Sequence, residues 1–246
     1  MFELAERLNR LQKLIDKPEL QAIDSDQILI MDGVNWQIYE GLLETLQDSS
    51  EFRVTYLEGT LEIMSPSRRH ESEKKRIALL LETYFMETEV DFYPLGSTTF
   101  REQSISRGIE PDECYCINSE KSVPDIAIEV VITSGAIPRH LRALAQTRDL
   151  AVSVESEVCK RGNAHQESGG INSLEIYQGL KVPEVWFWQK GKFSLYSLRE
   201  NGYEEIYRSQ FLPELDFELL ASYIRSSAKP KDILLEFRQR LKNSKI

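Results

Sequence analysis

Cysteine and histidine are scarce, with three of each in 246 residues. Cys114, Cys116 and Cys159 cannot close a complete disulfide framework. His70, His140 and His165 are too scattered to complete a zinc set with them. Cys114 and Cys116 alternate within "ECYCI", which puts both on one face of a strand as small core residues. Long apolar runs are also missing: none approaches the roughly 20 residues that cross a bilayer, and mean hydropathy is −0.38. The N-terminus "MFELAERLNRLQKLIDKPEL" lacks the unbroken apolar stretch of a secretory leader. It reads as an amphipathic helix, so a cytoplasmic location and no membrane partner are expected. Positive charge is in deficit, with 30 Lys and Arg against 40 Asp and Glu, a net charge of −10. A protein that coats nucleic acid by charge alone would be basic. An enzyme with a locally basic site is not excluded.

What the chain does hold is a mixed alternation of strand and helix signals. "FRVTYLEGTLEIMSP" alternates on both sides of Glu58-Gly59-Thr60 and predicts a hairpin. "SPS" then opens a long helix in which Ile77, Leu80, Leu81, Tyr84 and Phe85 recur at helical spacing. "STTF", "ECYCI" and "PDIAIEVVI" read as strands and "NSLEIYQGL" as a short helix. "VPEVWFWQKGKFSLYSLRENGYEEIYRS" reads as three strands joined by turns. Residues 215–244 read as two helices split by "AKP". The fold class expected is α/β (mixed α+β), a mixed sheet flanked by helices. Residues 1–48 are assigned to an N-terminal helical extension, 49–226 to the main domain and 227–246 to a C-terminal helix.

"TSGAI" at 133–137 and "ESGGI" at 167–171 nearly repeat each other. With the 34 residues between them excised, the chain reads "PDIAIEVVITSGGINSLEIY" without a break. Residues 136–169 therefore read as an insertion, being long and loop-like for a compact domain; a chance repeat is the other reading.

The chemistry centres on Glu129. A carboxylate within the apolar strand "PDIAIEVVI" is costly to bury unpaired. Alternation sets Glu129 on one face with Ala127 and Val131. Asp112 opens the preceding strand, and antiparallel pairing would bring the two carboxylates together as a hard-cation site for Mg²⁺ or Mn²⁺. Two plainer readings stand beside this: a buried Arg or Lys partner for Glu129, and a turn cap for Asp112. Asp125 is a weaker candidate and reads as a turn residue after Pro124. Glu71, beside His70 in the first turn of the long helix, is explained by the helix dipole. Glu62 reads as solvent-facing. Arg68, Arg69, Lys74, Lys75 and Arg76 are the best phosphate contacts in the sequence, with a solvated helix face as the alternative.

"GTLEIMSPSRRHE", "PD" at 111–112, "PDIAIEVV" and "SLEIYQGLKVPEVWFW", in that order, resemble the Uma-two family of the restriction-endonuclease-like PD-(D/E)xK superfamily. The resemblance covers roughly residues 50–135 and 170–225. It implies a nuclease fold and Mg²⁺-dependent endonuclease hydrolysis of DNA, and it admits a homodimer. Asp112, Glu129 and the Val130 carbonyl match the metal set, and Glu71 is the nearest match to a superfamily helix glutamate. Arg68, Arg69 and Lys74 would be the nucleic-acid contacts. Two departures bear on activity. The junction between strand and helix is interrupted, and the family's lysine position is Ser173, while the superfamily's usual lysine position is Val131. Neither replacement carries charge, so the resemblance also admits a catalytically inactive binding domain of the same fold.

Overall fold

The computed structural model describes residues 26–46, 51–132 and 171–244. The helix expected near the N-terminus and the segment 136–169 lie outside the described residues. The chain forms two compact units, each assembled from discontinuous stretches, and the class is α+β.

The first unit is built on a five-stranded sheet in the order β1-β3-β2-β6-β5. Its strands are β1 (Gln27–Met31), β2 (Arg53–Leu57), β3 (Thr60–Ser65), β5 (Phe100–Glu102) and β6 (Arg107–Ile109). The β2–β3 hairpin turns as expected, with Glu58 and Gly59 at φ 47° and 100°. Both central residues of such a turn need positive φ, which suits its twist to the flanking strands. Helix α1 (Trp36–Thr45) starts at Asn35, whose side chain accepts a hydrogen bond from the Ile38 amide at 2.9 Å. Asn is a favoured cap because it satisfies one of the orphan donors of the first turn. The core gathers Tyr39, Leu42, Val54, Tyr56, Leu61 and Ile63. Gly108 is obligatory here: a Cβ on it would lie 2.1 Å from the Tyr39 hydroxyl.

This unit corrects the assignment of residues 1–48 to a helical extension. Gln27–Met31 is a strand paired with β3 from Gln27↔Ser65 to Met31↔Leu61. A short apolar run such as "QILIM" has no period that separates strand from helix. A second, five-stranded sheet in this unit adds to the mixed sheet expected from the sequence, which is that of the second unit.

The second unit holds a six-stranded sheet in the order β11-β10-β9-β8-β7-β4. These strands are β4 (Phe92–Pro94), β7 (Glu113–Ile117), β8 (Ile126–Val131), β9 (Glu184–Gln189), β10 (Lys192–Arg199) and β11 (Gly202–Ile206). The β8–β9 pair is parallel and the other described pairs are antiparallel. Parallel neighbours need a crossover, and helix α3 (Ser173–Leu180) lies between them in the chain. Helix α2 (Arg68–Thr88) buries Ile77, Leu80, Leu81, Tyr84 and Phe85, the stripe expected from its periodicity. Phe85 meets Tyr115 of β7 edge-on, with ring centroids 5.3 Å apart. Helix α4 (Phe217–Arg225) sets Phe217 against Trp186 and Phe193. Helix α5 (Pro230–Ser244) sets Phe237 against Tyr223. The Arg76 guanidinium donates to the Ile224 and Ser226 carbonyls at 3.0 and 2.6 Å, satisfying acceptors left open at the end of α4.

Candidate active site

β7 and β8 pair from Glu113↔Ile128 to Tyr115↔Ile126. Continued by one residue, that register sets Asp112 across from Glu129. Asp112 stands just outside β7 and its carboxylate takes over a ladder position. Its Oδ2 accepts the Val130 amide at 2.8 Å, where a backbone carbonyl would otherwise sit. An extended residue turns its N–H and C=O to the same side. The Val130 carbonyl therefore faces the edge that Asp112 occupies. Asp112 is only 2 % exposed.

His70, in the first turn of α2, is fully buried and its Nε2 lies 2.8 Å from Asp112 Oδ1. A carboxylate only accepts, so Nε2 carries the proton of this bond. Glu129 lies half-buried on the face it shares with Ala127 and, through the Cys114↔Ala127 pair, with Cys114. The Tyr177 hydroxyl of α3 donates to Glu129 Oε1. Burial first, and then the negative charge of Glu129, push the Tyr177 phenol well above its ordinary value; Asp112 adds to the same push. Tyr177 therefore stays a neutral donor. Burial also raises the Cys114 thiol, with Glu113 and Glu129 contributing, so Cys114 is inert packing.

Among the described residues, no group of three or more His, Cys, Asp or Glu side chains is arranged to hold a metal ion. That excludes a described all-protein cage of the zinc type. It is compatible with Mg²⁺, which is commonly held by one or two carboxylates while keeping several waters. Asp112, Glu129 and the Val130 carbonyl are the oxygen donors on this part of the sheet that could serve such an ion.

The other candidates separate. Glu71 is half-exposed and lies 3.4 Å from Lys74 Nζ. Lys74 is 5 % exposed, which corrects its reading as part of an open phosphate-binding face. It falls on the buried stripe with His70, Ile77 and Leu81. Arg68, Arg69 and Lys75 are exposed; Arg69 meets Glu73 at 2.7 Å, and Lys75 approaches Glu113 at 3.8 Å. Burial raises the Glu113 carboxyl, and Lys75 and Lys74 act against that rise. Asp125 accepts from the Ile117 amide at 2.7 Å and from Lys121 at 2.5 Å, a structural turn as expected. Glu62 is not solvent-facing. It is half-buried, accepts the Ile171 amide at 2.9 Å, and burial raises its carboxyl above the ordinary value.

His70 and Tyr177 are the residues that sequence reasoning passed over. Each had a signal. His70 continues the Ile77 and Leu81 stripe backwards, two turns before Ile77 and three before Leu81, and Tyr177 lies on the apolar side of "SLEIY".

A family model, Uma2, described as "Putative restriction endonuclease", matches residues 39–224. The chain belongs to the Uma2 family. No curated protein matches it. The family assignment agrees with the resemblance carried by the four motifs, and it supports a nuclease-like fold.

Proposed function

We propose that this Uma2 protein is a Mg²⁺- or Mn²⁺-dependent endonuclease acting on DNA, with cleavage weakened by the neutral residue at Ser173. The observation that carries the reading is the seating of Asp112: its carboxylate caps the β7–β8 ladder at Val130 and is set across from Glu129. Asp112, Glu129 and the Val130 carbonyl would hold the metal. Bound there, it would lower the pKa of an attacking water and offset charge on the scissile phosphate.

The chain's own residues hold these ligands in place. His70 and the Val130 amide each hold one oxygen of Asp112, and the Tyr177 hydroxyl orients Glu129. Such outer contacts fix ligand orientation and basicity. Ser173 is the first residue of α3 and offers no charge to a phosphate under attack. Removing a charge-stabilising group commonly lowers rate by on the order of 10²–10³.

The test is plasmid nicking with Mg²⁺ or Mn²⁺, together with calorimetric Mg²⁺ binding, for the unmodified chain, Glu129→Gln and Ser173→Lys. The expected pattern is metal binding with slow nicking, loss of both in Glu129→Gln, and faster nicking in Ser173→Lys. The absence of charge at Ser173 favours a second reading, a binding domain of the same fold. DNA binding with no nicking in any variant would decide for it.

A further inference from the structure

The first unit contains a cleft of about 720 Å³. It lies between the start of α1, the β2–β3 turn and the Ser104–Arg107 segment, and none of it belongs to the carboxylate site. We propose that this cleft binds one unpaired nucleobase of a single-stranded nucleic acid. The proposal rests on nucleic acid being the substrate class of the protein.

Trp36 is the reason for choosing a planar ring. Of the three tryptophans, Trp186 and Trp188 are buried, whereas Trp36 is partly open to the cleft. It is also held firmly. Tyr39 and Tyr56 meet it edge-on, with centroids 5.0 and 5.5 Å away. Those two rings stack on each other at 4.9 Å, and the Tyr56 hydroxyl is tied to the Val34 carbonyl at 2.9 Å. A half-buried indole braced by two rings and lining an open cleft can act as a stacking platform that accepts any base, because every base has a π-face.

The polar lining selects against phosphate. Arg107 is the cation of the cleft, but its guanidinium lies 3.2 Å from Glu58 and 3.9 Å from the Glu175 carboxylate, and it donates to the Glu175 carbonyl at 2.6 Å. Its charge is offset on both sides. What remains is suited to a neutral edge. Asn35 spends its side-chain oxygen on the Ile38 amide, which leaves its amide N–H₂ as a donor. The rim is set by Glu58 and Ser106, both non-glycine residues with positive φ, 47° and 50°, joined by a Glu58 amide to Ser106 carbonyl bond of 2.9 Å. The hairpin turn fixes the first and the end of the Gln103–Ile105 turn fixes the second, so the rim is a built edge.

The experiment uses the full chain without divalent cation. Tryptophan emission is followed while three oligonucleotides of equal length are titrated: an intact single strand, an abasic single strand and a duplex. A labelled copy of each reports affinity by anisotropy. The intact strand is expected to quench emission and to bind about 10- to 100-fold more tightly than the abasic strand, the range of one lost base stack. Trp36→Ala, checked for folding by circular dichroism, is expected to abolish that difference. Ser104→Leu, which narrows the cleft from its exposed rim without adding a ring and leaves the aromatic core untouched, is expected to do the same. A free nucleoside should compete with the intact strand, and inorganic phosphate should not. Equal binding of intact and abasic strands would overturn the proposal, as would an unchanged difference in both folded variants. Glu129→Gln is expected to keep the quench. A quench in a protein that never nicks DNA leaves the base site standing and sinks the nuclease reading. Nicking without base discrimination does the reverse.

Discussion

Glu129 and Glu184 pose the same question with opposite answers. Each is a carboxylate in an apolar strand, and the second is fully buried. Glu184 accepts from Trp186 Nε1 at 3.0 Å, Ser209 Oγ at 2.7 Å and the Gln210 amide at 2.6 Å. It is a structural acceptor for three neutral donors. Removing it would leave those donors without their partner in a dry environment, each at about 1–3 kcal/mol. Glu184→Ala is therefore expected to lose about 3–5 kcal/mol in chemical denaturation, and a loss below about 1 kcal/mol would refute this account. Glu129 is half-buried and receives the Tyr177 hydroxyl. Tyr177→Phe keeps the ring and deletes that donor. Its expected effect is a drop of roughly 10–100-fold in Mg²⁺ affinity, measured by calorimetry, at a nearly unchanged fold. Unaltered affinity would mean that Tyr177 does not position Glu129. The sequence alone could flag both glutamates as anomalous in their strands. It could not tell them apart, because two of the three donors to Glu184 lie 25 and 26 residues further along the chain.

At the scale of elements, legibility followed periodicity. The β2–β3 hairpin, α2 and the paired C-terminal helices carry strong period-2 or period-3.6 patterns, β7 and β8 are short runs bounded by Pro, Asn and Ser, and all stand where those signals put them. β1 is five residues without a distinguishing period, and it was missed. The division into two sheets depends on which strands pair at long range, and no local pattern encodes that. Glu62 of β3 was misread for a related reason, since its partner Ile171 lies 109 residues away. That contact predicts a pH dependence. Burial raises the folded-state carboxyl above its ordinary value of 4.5. The unfolded chain therefore ionises first as pH rises, and the stabilising contribution of the protonated form, full below about 4.5, is lost up to the raised folded value. Glu62→Gln keeps an oxygen for the Ile171 amide and removes the titration. The variant is expected to match the parent in acid and to exceed it in stability near neutrality, as read from denaturation midpoints across pH. A stability difference between variant and parent that stays flat or reverses through that window would contradict the sign.

For the whole molecule, the charge balance limits how nucleic acid can be held. Net charge is −10, and of the basic cluster on α2 only Arg68, Arg69 and Lys75 are exposed, since Lys74 is buried and Arg76 is spent on α4. Each phosphate neutralised contributes about −0.9 to the slope of log affinity against log salt. Three such contacts give a slope no steeper than about −3 for duplex DNA. A markedly steeper slope in anisotropy titrations would require a cationic surface beyond this cluster.

The discontinuity of both units bears on how the chain comes to be folded in time. The second unit draws on residues 69–100, 110–132 and 177–246, and its central parallel pair joins Ile126 to Glu184. Arg76 reaches its acceptors across 148 and 150 residues. The parallel pair cannot close on a nascent chain until residues 184–189 have left the ribosome, nor the clamp until residues 224–226 have. Non-local pairing of this kind slows folding and lengthens the life of unpaired strand edges. The exposed interval lasts while the stretch between β8 and β9 is made and the first waits for the second.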